Sequence, residues 1–489
     1  MVNIPKSLNN KYLLVEVSGN KYHNLMTRNF NKSFEKKFGR KNISFISLEV
    51  NSLNENMFSN PIRFSKCLIK IITRIIKNFF KFHIRKKKYY FNFNPFVLRF
   101  KDLREIIKLL KNKNIDNNYS YLNIHIGDLI NDSLQRFTWG DLPLFNDISR
   151  IFIIISSFII VKQSEYIASE LPNETTLYLA ASTSYSNNGI PFRVMGRKKN
   201  CVCYSTTSVN HTWLEFLDYS RSPYIDYQQV GDQLQNGQLF NLNNAEKIGS
   251  DGLLNRISGR NDSTLPYMKK SSFSVNKSSY NIDFNHASIL YLHDLIDTSH
   301  HYPGFIFPNM IDYIFFTIKT LIINKRRFLI KLHPNETIGS KIIRRKIFKK
   351  LNIIDDLIIP ANTSNHRILS SNIKNVISAH GNIIIEAGYY GHFSIGASSG
   401  SPAASFRNLL KIPENIKDYE KLLVNNFVDK DKDRIFYESK LAFFLLFHSD
   451  LYMNDKDLPY TRKLYKEIRN DMPISEYPLY DFNFLKSNS

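Results

Sequence analysis

Through the second half of the chain, apolar residues arrive in short blocks, each followed by a segment with apolar positions at helical spacing. The blocks "ASILYLHD" (287–294), "RFLIKL" (327–332), "DLIIP" (356–360), "NVISA" (375–379) and "HFSIGA" (392–397) read as strands. Between them "MIDYIFFTIKTLIIN" (310–324), "KIIRRKIFKKL" (341–351), "TSNHRILSS" (363–371) and "NIIIEAGYY" (382–390) read as helices. Continuous apolar runs indicate strands buried on both faces. Regular alternation with helices indicates a parallel, doubly wound sheet.

The first half is less regular but of the same kind. "YLLVEV" (12–17), "ISFISLEV" (43–50), "YLNIHIG" (121–127), "TTLYLAAS" (175–182) and "NCVCYST" (200–206) are strand candidates, and "KDLREIIKLLKN" (101–112) is an amphipathic helix. The longest apolar run, "IFIIISSFIIV" at 151–161, is 11 residues, too short to span a bilayer, and reads as a buried helix or strand. Residues 230–285 are polar and rich in Asn, Gly and Ser, the mark of a connecting region or helical insertion. A chain of 489 residues exceeds the roughly 250–300 at which a single core stops growing. The fold class expected is therefore α/β with two Rossmann-like doubly wound domains. Their expected limits are 1–285 and 286–455, followed by a tail at 456–489 that could pack back on the first domain.

Charge adds a partner class. Sixty-six Lys and Arg against 43 Asp and Glu give a net charge of +23, which favours a phosphate-bearing partner: nucleic acid, anionic lipid or a nucleotide. Part of the excess reflects a general Lys, Asn and Ile bias. Residues 63–88 hold ten Lys or Arg and no acid, with Lys70, Arg74, Lys77 and Lys81 at helical spacing. Two readings stand: a core-facing helix with a solvated basic side, or docking on an anionic membrane surface. No recognised nucleic-acid motif accompanies the charge, so nucleic acid is not the expected partner. Three cysteines make neither a disulfide framework nor a four-cysteine metal site. Cys201 and Cys203 alternate as on one face of a strand, as two small buried residues. The N-terminus lacks a signal-peptide pattern, and a cytoplasmic location is expected.

In open α/β sheets ligands bind beyond the carboxyl ends of the strands. Three predicted strand tips carry chemistry: His293 to Asp297, His333-Pro334, and His380-Gly381-Asn382. Gly381 permits a tight turn, and Asn382 opens a helix, either as its cap or facing a phosphate. Glu386, one turn on, could accept hydrogen bonds from ribose hydroxyls. His333 could carry a ring N–H to a phosphate oxygen. His293 and Asp297, four apart, could form a hydrogen-bonded pair. In the first half Asp128 and Asp132 share one face of a predicted helix, as a general base and its neighbour or as helix-start carboxylates. Arg193 and Arg136 are candidate anion or acceptor contacts. The adjacent His300 and His301 cannot easily direct both rings at one ion, and no metal site is expected.

Four stretches carry a family resemblance: "NIHIGDLINDSLQRF" (123–137), "TSYSNNGIPFRVMGRKKNCVCY" (183–204), "LYLHDLIDTSHHYPGFIFPNMIDY" (290–313), and "IKLHPN" with "SAHGNIIIEAGYYG". In these the chain resembles bacterial capsule and surface-polysaccharide biosynthesis proteins, glycosyltransferases of GT-B architecture related in motif to Kdo- and sialic-acid-transferring enzymes. Asn382 stands where that family usually has Thr or Ser, and "GYYGHFSIGA" lacks its Gly-x-Pro.

The resemblance implies two domains facing across a cleft, with the second holding an activated sugar nucleotide at His333, Pro334, His380, Gly381, Asn382 and Glu386. It implies no cofactor; the sugar nucleotide is a substrate, with a CMP-sugar favoured over an NDP-sugar. The acceptor implied is a surface polysaccharide or a lipid-linked glycan, reached from the inner face of the cell membrane. A CDP-polyol phosphotransferase of teichoic-acid type and a non-catalytic basic docking protein are the alternatives.

Overall fold

The computed structural model describes residues 11–17, 43–47, 88–91, 95–112, 115–137, 143–172, 175–206 except 181, 213–216, 227–237, 241–259, 282–298, 304–334, 336–425 and 431–447, with a few isolated positions besides. The chain divides into two compact units at Pro223–Tyr224. His300, His301, the tail at 456–489 and nearly all of 63–88 lie outside the described residues.

The first unit contains β1 (Lys11–Val17), β2 (Ile43–Ser47), β3 (Lys88–Phe91), α1 (Phe100–Lys111), β4 (Ser120–Tyr121), β5 (Ile124–His125), α2 (Gly127–Phe137), α3 (Pro143–Glu170), β6 (Thr175–Ala180), α4 (Ile190–Gly196), β7 (Cys201–Thr206) and β8 (Trp213–Phe216). Its sheet runs β3-β2-β1-β6-β7-β8, parallel except where β8 returns antiparallel on β7. Leu13, Leu14 and Val15 in β1 are all buried, as a central strand covered on both faces requires. Cys201 and Cys203 are buried free thiols of β7, as their alternation predicts.

Two segments depart from expectation. "YLNIHIG" does not join the sheet: it folds into a separate antiparallel hairpin of β4 and β5, because Leu122 and Asn123 both take left-handed conformations that turn the chain back. The apolar run 151–161 is the middle of α3, a helix of 28 residues. Its stretch Ser149–Glu170 is long and apolar enough to cross a membrane, yet 61% of that window is buried inside the chain. There Ile153, Ile154 and Phe158 pack with Ile106 and Leu109 of α1, Leu129 and Ile130 of α2, and Ile190 and Val194 of α4.

The second unit holds α5 (Tyr227–Gln235), α6 (Leu242–Ile257), β9 (Ser288–Tyr291), α7 (Met310–Ile323), β10 (Phe328–Lys331), α8 (Ile338–Lys350), β11 (Ile358–Ile359), α9 (Asn365–Leu369), β12 (Asn375–Ile377), α10 (Ile383–Tyr389), β13 (Ser394–Ile395), β14 (Leu410–Lys411), α11 (Ile416–Val424) and α12 (Lys432–Phe447). All its strands are parallel, in the order β11-β10-β9-β12-β13-β14. Counted within the unit this is 3-2-1-4-5-6, the doubly wound order of dinucleotide-binding folds. Helices and strands fall close to the predicted positions, and two Rossmann-like sheets are what the periodicity implies.

The unit boundary differs from the expected 285. The polar segment supplies α5 and α6 to the second unit, because α6 packs closely along α12. A Cβ at Gly249 would sit 2.0 Å from the Lys440 carbonyl oxygen, and one at Gly252 2.3 Å from the Phe443 ring. The glycines that made this segment look like a linker are what lets two helices approach. For the first unit, the central place of Phe158, wholly buried with its ring 4.3 Å from Tyr121, gives a direct expectation. Phe158→Ala should destabilise that unit by about 3–5 kcal/mol in urea unfolding.

Candidate functional site

Strand order reverses between β9 and β12, the place where the helices of a doubly wound sheet leave toward opposite faces and where such sheets receive ligands. Two of the predicted histidines meet there. His293 follows β9 and His380 follows β12, with ring centroids 4.5 Å apart and planes tilted by 34°. His293 Nε2 lies 3.0 Å from Ser378 Oγ, which also accepts from the Gly381 N–H at 3.4 Å. A Cβ on Gly381 would stand 3.0 Å from both the His293 ring and that hydroxyl, so a side chain at position 381 would push the histidine or the hydroxyl outward by a few tenths of an ångström. Phe305 meets the His380 ring edge-on at 6.5 Å.

Burial, followed by the nearby charge of His333, pushes the His293 ring down to about 4, against a smaller opposing pull from Asp297. His293 is therefore a neutral imidazole at pH 7. Asp297 is exposed and acts on His293 through charge, while the hydrogen bond of the ring goes to Ser378. Asp294, between them, accepts from the Thr337 hydroxyl at 2.9 Å, and Thr337 caps α8. That contact fixes the exit from β9 against the segment after His333. His333 is partly exposed just past β10, its carbonyl accepting from the Glu336 N–H, and Pro334 is exposed beside it.

Lys331 was not foreseen. It ends β10 almost fully buried and donates to the carbonyls of Pro360 and Ala361 at 2.7 and 2.8 Å. Burial pushes its ammonium down to about 7. The lysine ties the tip of β10 to that of β11, two residues before His333. Its signal in the sequence was a cation inside the apolar block "RFLIKL".

Two expectations at α10 change. Asn382 stands at the head of the helix in helical conformation, and its side chain forms no cap; its carbonyl accepts from Ile385 and Glu386 instead. Glu386 is buried and held by Arg256 of α6, Nε to Oε1 at 2.6 Å, with Asn365 Nδ2 3.5 Å from its other oxygen. Both carboxylate oxygens are thus engaged by the protein, and Glu386 acts as an anchor for α6 rather than as an open acceptor for a ribose. Arg256 lay in the polar segment, where only the fold could reveal its partner.

In the first unit the two motif stretches come together. Arg193 of α4 grips both oxygens of Asp128 at the start of α2, at 2.7 and 2.6 Å, and also donates to the His125 carbonyl at 2.7 Å. Arg193 is only 1% exposed, so this forked pair is a buried brace. It ties both oxygens of Asp128 to the guanidinium. Asp132, one turn further along α2, is buried, and the Arg136 guanidinium stacks over Tyr185 at 5.9 Å. Tyr185 opens a single π-helical turn, Tyr185–Gly189, that leads into α4. Hydroxyls of Ser133 and Ser157 lie 3.2 and 2.8 Å from Ser186 Oγ, joining α2 and α3 to that turn; these serines had no distinguishing pattern in the sequence.

No described protein family matches the sequence, and no curated protein matches it. Among solved structures, the chain is similar to S. aureus MnaA in a co-structure with UDP, at 10% identity over 94% of this chain and 99% of that one, with a TM-score of 0.33. It is similar to Anabaena HepE in complex with UDP and glucose, at 9% identity over 94% and 99%, with a TM-score of 0.29. A glycosyltransferase from Rickettsia africae matches at 11% identity over 98% and 100%, with a TM-score of 0.29. Likenesses this distant carry no argument about activity.

Two predictions follow from the geometry. Arg256→Ala leaves a buried carboxylate without its cation and should cost about 3–5 kcal/mol in denaturant unfolding, part of which adding Glu386→Gln should restore. For His293, the unfolded chain binds its proton near 6.5 and the folded chain only near 4. The stability this group contributes is complete above pH 6.5 and is lost as the pH falls toward 4. The melting temperature of His293→Gln should therefore fall less steeply than that of the wild type over that interval.

Proposed function

We propose that the protein is a glycosyltransferase that moves a sugar from a nucleotide-activated donor to a surface polysaccharide or lipid-linked glycan. The observation that carries the reading is the pairing of His293 and His380–Gly381 across the β9–β12 reversal, with His333 on the next strand tip. That is where a doubly wound sheet receives a nucleotide. The motif resemblance at 290–313, 328–337 and 378–391 supports a sugar nucleotide as the ligand and a CMP-sugar ahead of an NDP-sugar.

In this reading His333 and the turn His380–Asn382 place hydrogen-bond donors where charge develops on the departing phosphate oxygen, which needs no metal. Neutral His293 holds the turn through Ser378. The acceptor hydroxyl is handled by the first unit, with Arg193 and Asp128 as the brace and Asp132 as the carboxylate to be tested as base. The protein would work in the cytoplasm at the inner face of the cell membrane, with residues 63–88 contributing attraction to anionic lipid.

The test is thermal shift with CMP, CDP, UDP and GDP, on the wild type and on His333→Ala. At least one nucleotide should raise the melting temperature, in line with about 2.7 kcal/mol at a hundredfold excess over Kd. His333→Ala should shrink that shift. A folded protein that none of the four stabilises contradicts the proposal, and a phosphodiester rather than a glycosidic product would point to polyol-phosphate transfer.

A further inference from the structure

Helix α1 has two apolar faces, and the fold uses one of them. Ile106 and Leu109 are buried in the first unit's core together with the Asp102 carboxylate. At about 100° per residue, Phe100, Leu103 and Ile107 form a second stripe. They are 72%, 43% and 51% exposed, and Phe96, in the turn before the helix, is 93% exposed. Four large apolar side chains in one short segment are a patch rather than scattered surface residues.

The charges beside this stripe have one sign. Arg99, Lys101, Arg104, Lys108 and Lys111 are all exposed. Lys111, Arg104, Lys108 and Lys101 follow the apolar stripe around the helix, within about 100° of Phe100. The Arg104 guanidinium lies over the Phe100 ring at 5.0 Å. The two acidic residues of the helix are turned away from this face. Asp102 is buried, accepting from the Arg99 N–H at 2.8 Å with Lys162 at 3.3 Å, and Glu105 is half-buried near the Tyr119 hydroxyl at 3.4 Å.

We infer that this face of α1, with Phe96, docks the protein on a membrane leaflet containing anionic phospholipid. Phenylalanine, leucine and isoleucine enter the boundary between headgroups and acyl chains. The flanking lysines and arginines keep their stems against the apolar surface and their charges among lipid phosphates. The five positive charges on this face favour this occupant over a second copy of the chain, which would bring five like charges against these five. The inference does not depend on the glycosyltransferase reading, and none of its residues belongs to the stretch 63–88.

The test is co-sedimentation of the full chain with vesicles of phosphatidylcholine alone and of phosphatidylcholine with phosphatidylglycerol. It compares the wild type with Phe100→Ser/Ile107→Ser and with Lys101→Gln/Arg104→Gln/Lys108→Gln/Lys111→Gln. The wild type should bind the anionic vesicles and release them with added salt. The charge variant should bind about a hundredfold more weakly or worse, and the apolar variant at least about tenfold more weakly. Because these side chains are exposed, both variants should melt at the wild-type temperature. Wild-type binding by either variant, or no anionic preference in the wild type, overturns the inference. So does a wild-type dimer that either variant dissociates while vesicle binding persists.

Discussion

The reversal of strand order between β9 and β12 is the constraint on which the second unit depends. Parallel neighbours must be joined by crossovers, and a sheet that grows in both directions from its first strand has one place where adjacent tips lose their covering helices. His293 and His380 occupy that place. Ser378 and Gly381 give it rigidity: a hydroxyl shared between an imidazole and a backbone N–H, under a turn packed tightly against both. His333, reached by Lys331 locking the neighbouring tips together, completes a row of three strand ends that each finish on a histidine.

Two buried arginine–carboxylate pairs frame the candidate residues. Arg256 with Glu386 joins α6 to α10, directly behind the His380–Asn382 turn. Arg193 with Asp128 joins α4 to α2 and reaches into the β4–β5 hairpin through His125. Glu386, a candidate ribose acceptor by sequence, and Asp128, a candidate base or helix-start carboxylate, are each paired with a buried arginine. Removing charges from water is costly, so such pairs contribute orientation more than net stability. They set where helices start relative to strand tips, and that placement is what a ligand would meet.

Much of the architecture was legible from periodicity alone. Strands of the second unit between 287 and 397 are apolar throughout because both faces are covered, and the helices between them carry apolar positions at helical spacing, so element type could be read there. The histidine tips were legible for the same reason, since the end of a buried strand is a defined place in a parallel sheet. What the sequence hid was tertiary. Gly249 and Gly252 looked like linker residues until α12 supplied a helix to approach, and Leu122 and Asn123 turned an apparent sheet strand into a hairpin. Arg256 carries no periodic or motif signal, and the roles of Arg256, Lys331 and Ser186 stay hidden because their partners lie far along the chain and belong to other elements.

In the proposed function a nucleotide sits beyond β9, β10 and β12 of the second unit. Backbone hydrogen exchange with and without a saturating nucleotide tests it most directly. Slowed exchange is expected at residues 292–295, 332–333 and 378–385, with the β4–β5 hairpin and α1 of the first unit unchanged. Protection confined to the first unit, or none at these three strand tips while the nucleotide is bound, would contradict it.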